Sequence, residues 1–405
     1  MKKRRIKKLF EHFTCKRILA AVFIIFIVCM GLTAIPATLA NVRLNMVNEE
    51  VNFVTVRNEI DAEYIQMLGF DGSVIKNKGS YINLNGLMAR FMGQRLMNER
   101  VKLDNGNLAY FTYPIDVWPY ANQMIRLHNK QTDRGKDFLF IVAPCKVPKH
   151  EDIIPSGFAD YSNENANDLL DILMANDVPV LDLREELYID GINYSDAFFV
   201  TDHHWKPETG FWAYTKIIDY FEKRNLIEPI DQMYTDINSY NIDIREDWFL
   251  GSAGTRTGIY FAGTDDFSII YPKFNTEMSL QIPDINLSKQ GAFEDVALDW
   301  ESDVKDYFVA NPYTLYGYYN HGMKNYRNET APIKKKVLFI GDSFACVTCS
   351  FLPLTISTLD QLDMRLFETD FQEYYYEFDP DIIIVMVEPE MLGEGVIRYN
   401  FFPRE

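Results

Sequence analysis

Three runs of consecutive apolar residues organise the chain: Phe138-Leu139-Phe140-Ile141-Val142, Val337-Leu338-Phe339-Ile340 and Ile382-Ile383-Ile384-Val385-Met386-Val387. Each is short, opened after a charged residue and closed by an Ala-Pro pair, a glycine or a glutamate, the pattern of a strand buried on both faces at the centre of a parallel sheet. Pro179-Val180-Leu181-Asp182 reads as a further strand. Before and between these runs the apolar spacing lengthens to the helical period over 115–130, 166–176 and 207–224, and again over 344–358 after the second run. Strand and helix in alternation predict a three-layer α/β domain with a mainly parallel sheet. A hairpin is expected over 101–111, where Asp104-Asn105-Gly106 supplies the turn.

The alternation lapses over 227–328, which is rich in Asp, Asn, Tyr and Gly, with short β-prone runs such as Phe267-Ser268-Ile269-Ile270-Tyr271. This stretch is expected to form a β-rich lobe inserted into the α/β domain and folded over the sheet as one wall of a cleft. Tyr313, Tyr316, Tyr318 and Tyr319 cluster near its end. Stacking on sugar rings and packing into a core are both open to such a cluster.

Charge separates the N-terminus from the rest. Residues 1–17 hold eight basic side chains against Glu11, so a net charge of −18 for the whole chain leaves about −25 beyond them. A body that acidic is no nucleic-acid binder. Ile18 opens an apolar run through Leu32 that continues in small residues to Ala40, long enough to cross a bilayer. Basic residues before it set the N-terminus inside, so a single-pass membrane anchor at 18–40 with the body outside the cytoplasm is expected. Thr38-Leu39-Ala40 leaves signal cleavage as the alternative. The expected organisation is thus a basic cytoplasmic segment at 1–17, the anchor at 18–40, a stalk and entry segment at 41–100 with a helix over 48–69, and the α/β domain at 101–405. Cys145, Cys346 and Cys349 fall in the body, where a structural disulfide or buried thiols are expected and a redox role for Cys346-Val347-Thr348-Cys349 is not. No Cys/His spacing matches a metal site.

Candidate chemistry gathers at two places. Gly341-Asp342-Ser343 follows the second apolar run, so Ser343 sits at a strand-to-helix corner where a hydroxyl is presented and backbone N–H groups can meet an oxyanion. A serine there also serves as a plain helix cap. About 140 residues upstream lies Thr201-Asp202-His203-His204-Trp205-Lys206-Pro207. A hydroxyl nucleophile needs an imidazole to take its proton and a carboxylate to hold that imidazole, and Asp-X-His supplies both. Asp202 could equally cap the helix that begins near Pro207.

These two blocks resemble the signature of the bacterial DHHW protein family, itself similar to the SGNH hydrolase-like domain of the alginate O-acetylation proteins. In that group an Asp-X-His-Trp element precedes a Gly-Asp/Thr-Ser element. Ala143-Pro144-Cys145-Lys146, Phe249-Leu250-Gly251-Ser252, Arg256-Thr257-Gly258, Asp265-Asp266 and Asp363-Met364-Arg365 agree with it, over roughly 110–391. The resemblance implies an SGNH-like, flavodoxin-like sheet and a Ser343, His204, Asp202 triad. His204 is preferred to His203 because it matches Asp-X-His-Trp and because a carboxylate two residues away can share its turn. Asn320 is the side-chain candidate for an oxyanion donor. Glu388 is a secondary candidate, although Pro389 departs from the Glu-Arg expected at that strand end. The implied activity is extracytoplasmic O-acetyl transfer or ester hydrolysis on a cell-surface or exported polysaccharide, with a membrane-bound O-acyltransferase as a partner and no cofactor or metal. The alternatives are a catalytically silent glycan-binding or assembly component, and transfer of D-alanine to teichoic acid.

Overall fold

The computed structural model describes residues 20–25, 28, 78–392, 401 and 402. The chain divides into two units, Met1–Tyr81 and Ile82–Glu405. Of the first unit, 20–25 and 28 are helical with exposed apolar side chains, and 78–81 form the opening turn of helix α1 (Lys78–Phe91). Among the described residues no helix is long and apolar enough to cross a membrane. Most of the anchor expected at 18–40, and the helix expected at 48–69, lie outside the described residues.

The second unit continues with a small antiparallel sheet of β1 (Leu96–Met97), β2 (Arg100–Lys102) and β3 (Leu108–Ala109), where the Asp104-Asn105-Gly106 turn stands as expected. Next come α2 (Trp118–Thr132), β4 (Asp137–Val142), α3 (Ser162–Met174), β5 (Val180–Asp182), α4 (Leu183–Ile189) and α5 (Pro207–Lys223). Pro207 occupies the first turn of α5, where its missing N–H costs no helical bond. β6 (Tyr240–Phe249) pairs with β7 (Asp265–Pro272) as a separate ribbon. The chain then runs through β8 (Met278–Ile282), β9 (Leu287–Gly291), β10 (Met323–Arg327), β11 (Ile333–Ile340), α6 (Ala345–Phe351), β12 (Ile356–Leu362), α7 (Phe371–Phe378) and β13 (Ile382–Val387).

The main sheet has the order β5-β4-β13-β11-β12-β10-β8-β9. From β5 to β12 the neighbours are parallel, and β10, β8 and β9 continue it antiparallel. The fold is therefore mixed α/β around a large, mostly parallel sheet. Two-residue periodicity divides the strands between its faces. Val337, Phe339, Ile382 and Ile384 pack with Phe211, Tyr214 and Ile217 of α5 and the wholly buried α6. Leu338, Ile340, Ile383 and Val385 pack with Met124 and Leu127 of α2, Leu169 of α3 and Tyr375 of α7.

Two expectations need correction. Residues 227–328 do not stand apart as a lobe, because β8, β9 and β10 are built into the main sheet and only the β6–β7 ribbon is separate. The helix expected over 344–358 ends at Phe351, and Ile356 starts β12. Pro353 lacks the N–H that a continuing helix needs, and β-branched Ile356 and Thr358 suit the slot between β11 and β10.

Candidate active site

β11 delivers the chain to Gly341, and Asp342-Ser343-Phe344 turns it into α6. The buried Asp342 carboxylate accepts the Phe344 N–H at 2.9 Å, which makes it a turn residue. Burial pushes its carboxyl up, against the nearby Arg365 guanidinium. The Ser343 N–H has no hydrogen-bond partner among the described residues.

The facing half of the site is the loop between Phe198 and Trp205, two residues joined by an isolated antiparallel bridge. Asp265, at the start of β7, clamps this loop by accepting the N–H groups of Val200 at 2.7 Å and Thr201 at 2.8 Å and the Thr201 hydroxyl at 2.6 Å. The Thr201 carbonyl accepts from Ala253 and Gly254 N–H. Lys146, fully buried just past β4, donates to the carbonyls of Leu108 at 2.6 Å and Val200 at 3.0 Å, tying the β2–β3 hairpin to the loop. Burial lowers the Lys146 pKa to about 8, partly offset by Asp265, Asp202 and Glu390.

So held, Asp202 accepts the Ser252 N–H at 2.6 Å, the His204 N–H at 3.0 Å and the His204 ring through Nδ1 at 2.5 Å. An ionised carboxylate can only accept, so Nδ1 carries the proton and Nε2 is left as an acceptor. Nε2 lies 2.7 Å from the Ser343 hydroxyl oxygen. Asp202, His204 and Ser343 are each 5% exposed or less. Burial works against the charge on Asp202. His203 and His204 beside it, with the hydrogen bonds from His204 and Ser252, outweigh that and hold its carboxyl well below the usual range. Gly251 backs onto this carboxylate so closely that a Cβ there would stand 2.2 Å from the Asp202 Cβ.

The aromatic surroundings fix the imidazole plane. Tyr313 stacks on His204 with ring centroids 4.0 Å apart and 16° between planes, and Phe344 closes another side at 5.2 Å. Trp205, wholly buried, packs edge-on against Phe344.

His203 is not in this line. Its Nδ1 lies 3.1 Å from the Ser252 hydroxyl, and its ring packs on His204 at 3.8 Å and meets Tyr110 edge-on. Burial and the neighbouring His204 lower its pKa to about 3, against the pull of Asp202, so His203 stays neutral across the ordinary pH range. Asn320 lies beside α6, with its Oδ1 3.5 Å from the Cys346 thiol, one turn beyond Ser343. Glu388 is buried at the end of β13 and reaches the site only through its backbone N–H, 3.5 Å from Asp342 Oδ2; its own Oε1 has no partner among the described residues. Burial, with Glu390 and Asp342 nearby, pushes its carboxyl well up. Cys145, Cys346 and Cys349 are free, buried thiols. Asp202, His203 and His204 place ligand-type atoms within 4.8 Å of one another, but Asp202 and His204 direct theirs at each other and at Ser343.

Sequence reasoning missed Tyr313 as a site residue. It also gave no role to Gly251, Asp265 or Lys146, although each stands in a stretch that carried the family resemblance.

No family model and no curated protein matches the chain. Among solved structures, Bacillus cereus PatB1 with a sulfonyl adduct superposes with a TM-score of 0.58 at 19% identity, over 72% of this chain and 97% of that one. A DHHW family protein from Eubacterium siraeum DSM 15702 gives a TM-score of 0.55 at 15% identity, over 75% and 95%. The O-acetyltransferase domain of Pseudomonas putida AlgJ is a weaker match, with a TM-score of 0.42 at 11% identity over 72% and 91%, too low to carry an argument. At these identities the likeness is one of fold, and in fold this chain resembles a DHHW family protein.

Proposed function

We propose that this chain is an extracytoplasmic, membrane-anchored serine acyltransferase or esterase acting on O-acetyl groups of a cell-surface or exported polysaccharide. The observation that carries the reading is the unbroken line from the Asp202 carboxylate through both ring nitrogens of His204 to the Ser343 hydroxyl, at 2.5 and 2.7 Å. In this reading the Ser343 oxygen attacks the acyl carbonyl carbon while its proton passes to His204 Nε2. The imidazolium so formed is stabilised by Asp202. The oxyanion meets the unengaged Ser343 N–H and the Asn320 amide. Collapse of the tetrahedral adduct expels the donor alcohol, which takes the proton from Nε2 and leaves an acetyl ester on Ser343. A sugar hydroxyl or water then repeats the sequence in reverse.

The narrow exposure of Ser343 favours a short acyl group over a long chain. The exposed apolar residues Val22, Phe23, Ile24 and Ile25, preceded by the basic N-terminus, support the anchor. The fold neighbour PatB1 is known as a sulfonyl adduct, which makes a sulfonyl fluoride the natural probe here. The test is mass-spectrometric detection of a sulfonyl group on Ser343 in the wild type, together with turnover of a chromogenic acetyl ester. Loss of both in Ser343→Ala is the expected outcome. A wild type that is neither labelled nor active, yet binds acetylated glycan, would overturn the enzyme reading in favour of a silent binding component. Product analysis with D-alanyl and acetyl donors separates the two acyl classes.

A further inference from the structure

Helix α1 is amphipathic the wrong way round. Leu84, Leu87, Met88, Phe91 and Met92 recur at helical spacing and form one stripe, yet their exposures run from 39% to 86%, the last for Phe91. The face turned to the body is built instead from small and polar residues. Gly86 approaches so closely that a Cβ would meet the Thr257 carbonyl oxygen at 2.2 Å, Ala89 is buried, and Asn83 Oδ1 accepts the Ile259 N–H at 2.8 Å. Leu96 and Tyr260, close to the helix in sequence and in the segment it packs on, are exposed as well. An exposed apolar stripe of this kind marks a contact with something outside the fold.

The charge around the stripe indicates what that contact is. Residues 78–103 carry five basic side chains against the single acid Glu99, within a body whose net charge is strongly negative. Arg90 lies in the helix itself, and Arg95 and Lys102 follow it closely in the chain. Arg90 donates to the Tyr260 carbonyl, Lys102 to that of Phe261, and Arg95 pairs with Asp104 while both side chains remain about half exposed. An exposed apolar stripe with a basic border suits an anionic bilayer surface, where lipid chains take the side chains and headgroups take the charge. At fourteen residues, α1 spans about 21 Å, too short to cross a bilayer and well suited to lying along one. An apolar run of membrane-spanning length also precedes it in the same chain.

We propose that the apolar stripe of α1 docks on an anionic phospholipid surface. The helix then rests the body on the membrane through the 251–262 segment, which it packs against at Thr257 and Ile259 and whose start at Gly251 and Ser252 backs onto Asp202. Lipid contact and the candidate active site are thus one short segment apart.

The test uses the full chain, one copy per nanodisc, with Cys15 and Cys29 replaced by serine and an environment-sensitive dye attached through Phe91→Cys. Spin-labelled lipid should quench most of the dye emission in discs of mixed phosphatidylcholine and phosphatidylglycerol. That quenching should fall sharply in phosphatidylcholine alone and on adding Arg90→Glu and Arg95→Glu. A dye attached through Ile189→Cys, on an exposed helix end elsewhere, should stay bright. No quenching at position 91 overturns the proposal, meaning that residues of this chain or another protein cover the stripe. Quenching indifferent to phosphatidylglycerol, or equal at position 189, overturns it as well. Since the readout is position and not turnover, its failure leaves the Ser343 reading standing.

Discussion

A serine hydroxyl becomes a nucleophile only when the imidazole beside it keeps one nitrogen free to accept, and the Asp202 carboxylate decides which nitrogen that is. Asp202→Asn offers an amide donor to Nδ1 and favours the opposite tautomer, so turnover of an acetyl ester should fall about 10⁴-fold with little change in KM. His203→Ala removes a neutral ring that touches His204 but not Ser343, and should cost less than about tenfold. Equal losses in the two variants would make the pair of histidines one functional unit. Glu388 offers a different test, in stability. Its native proton affinity is raised, so the stabilisation it contributes is complete below the ordinary carboxyl range and is lost as pH rises through its elevated native value. Glu388→Gln should therefore melt close to the wild type in acid and above it in alkali, a difference read by thermal scans across that window. Parallel melting curves would remove Glu388 as a source of pH dependence. The Asp-X-His and Gly-Asp-Ser residues were legible in the sequence because their chemistry is uncommon and locally spaced. Tyr313 was not, since its stacking on His204 joins residues more than a hundred positions apart and its neighbours are tyrosines of similar appearance.

At the scale of elements, the site is a strand end set against a clamped loop, and the clamp leaves no slack at Gly251. Gly251→Ala should destabilise the fold by about 1–3 kcal/mol, read as a lower denaturant midpoint, because the new methyl meets the Asp202 side chain and backbone. It should also lower turnover by displacing that carboxylate. Unchanged activity in a destabilised variant would mean that the loop, and not Asp202, gives way. The long buried strands β4, β11 and β13 were readable from continuous apolar runs, and α2, α3 and α5 from their period, to within a few residues at their ends. β12 was not, because a short apolar segment after a helix carries no period of its own. β8, β9 and β10 mix polar and apolar positions, and nothing local says that their partner is the edge of the parallel sheet and not one another alone.

At the scale of the molecule, strand order and chain order disagree. β4 and β5 come early, yet β4 pairs only with β5 and with β13, and β13 in turn joins them to β11. A chain ending before Ile382 should accordingly show no cooperative melt and be cut rapidly by protease; a stable truncated core would show that helices alone can hold β4 and β5 in place. The same order bears on when the candidate site can form. Asp202 and His204 leave the ribosome well before Ser343, and among the described residues the sheet that sets them opposite one another is completed only by β13. In the proposed reading, then, a nascent chain carries the parts of an ester-cleaving relay unassembled until β13 has been made and paired.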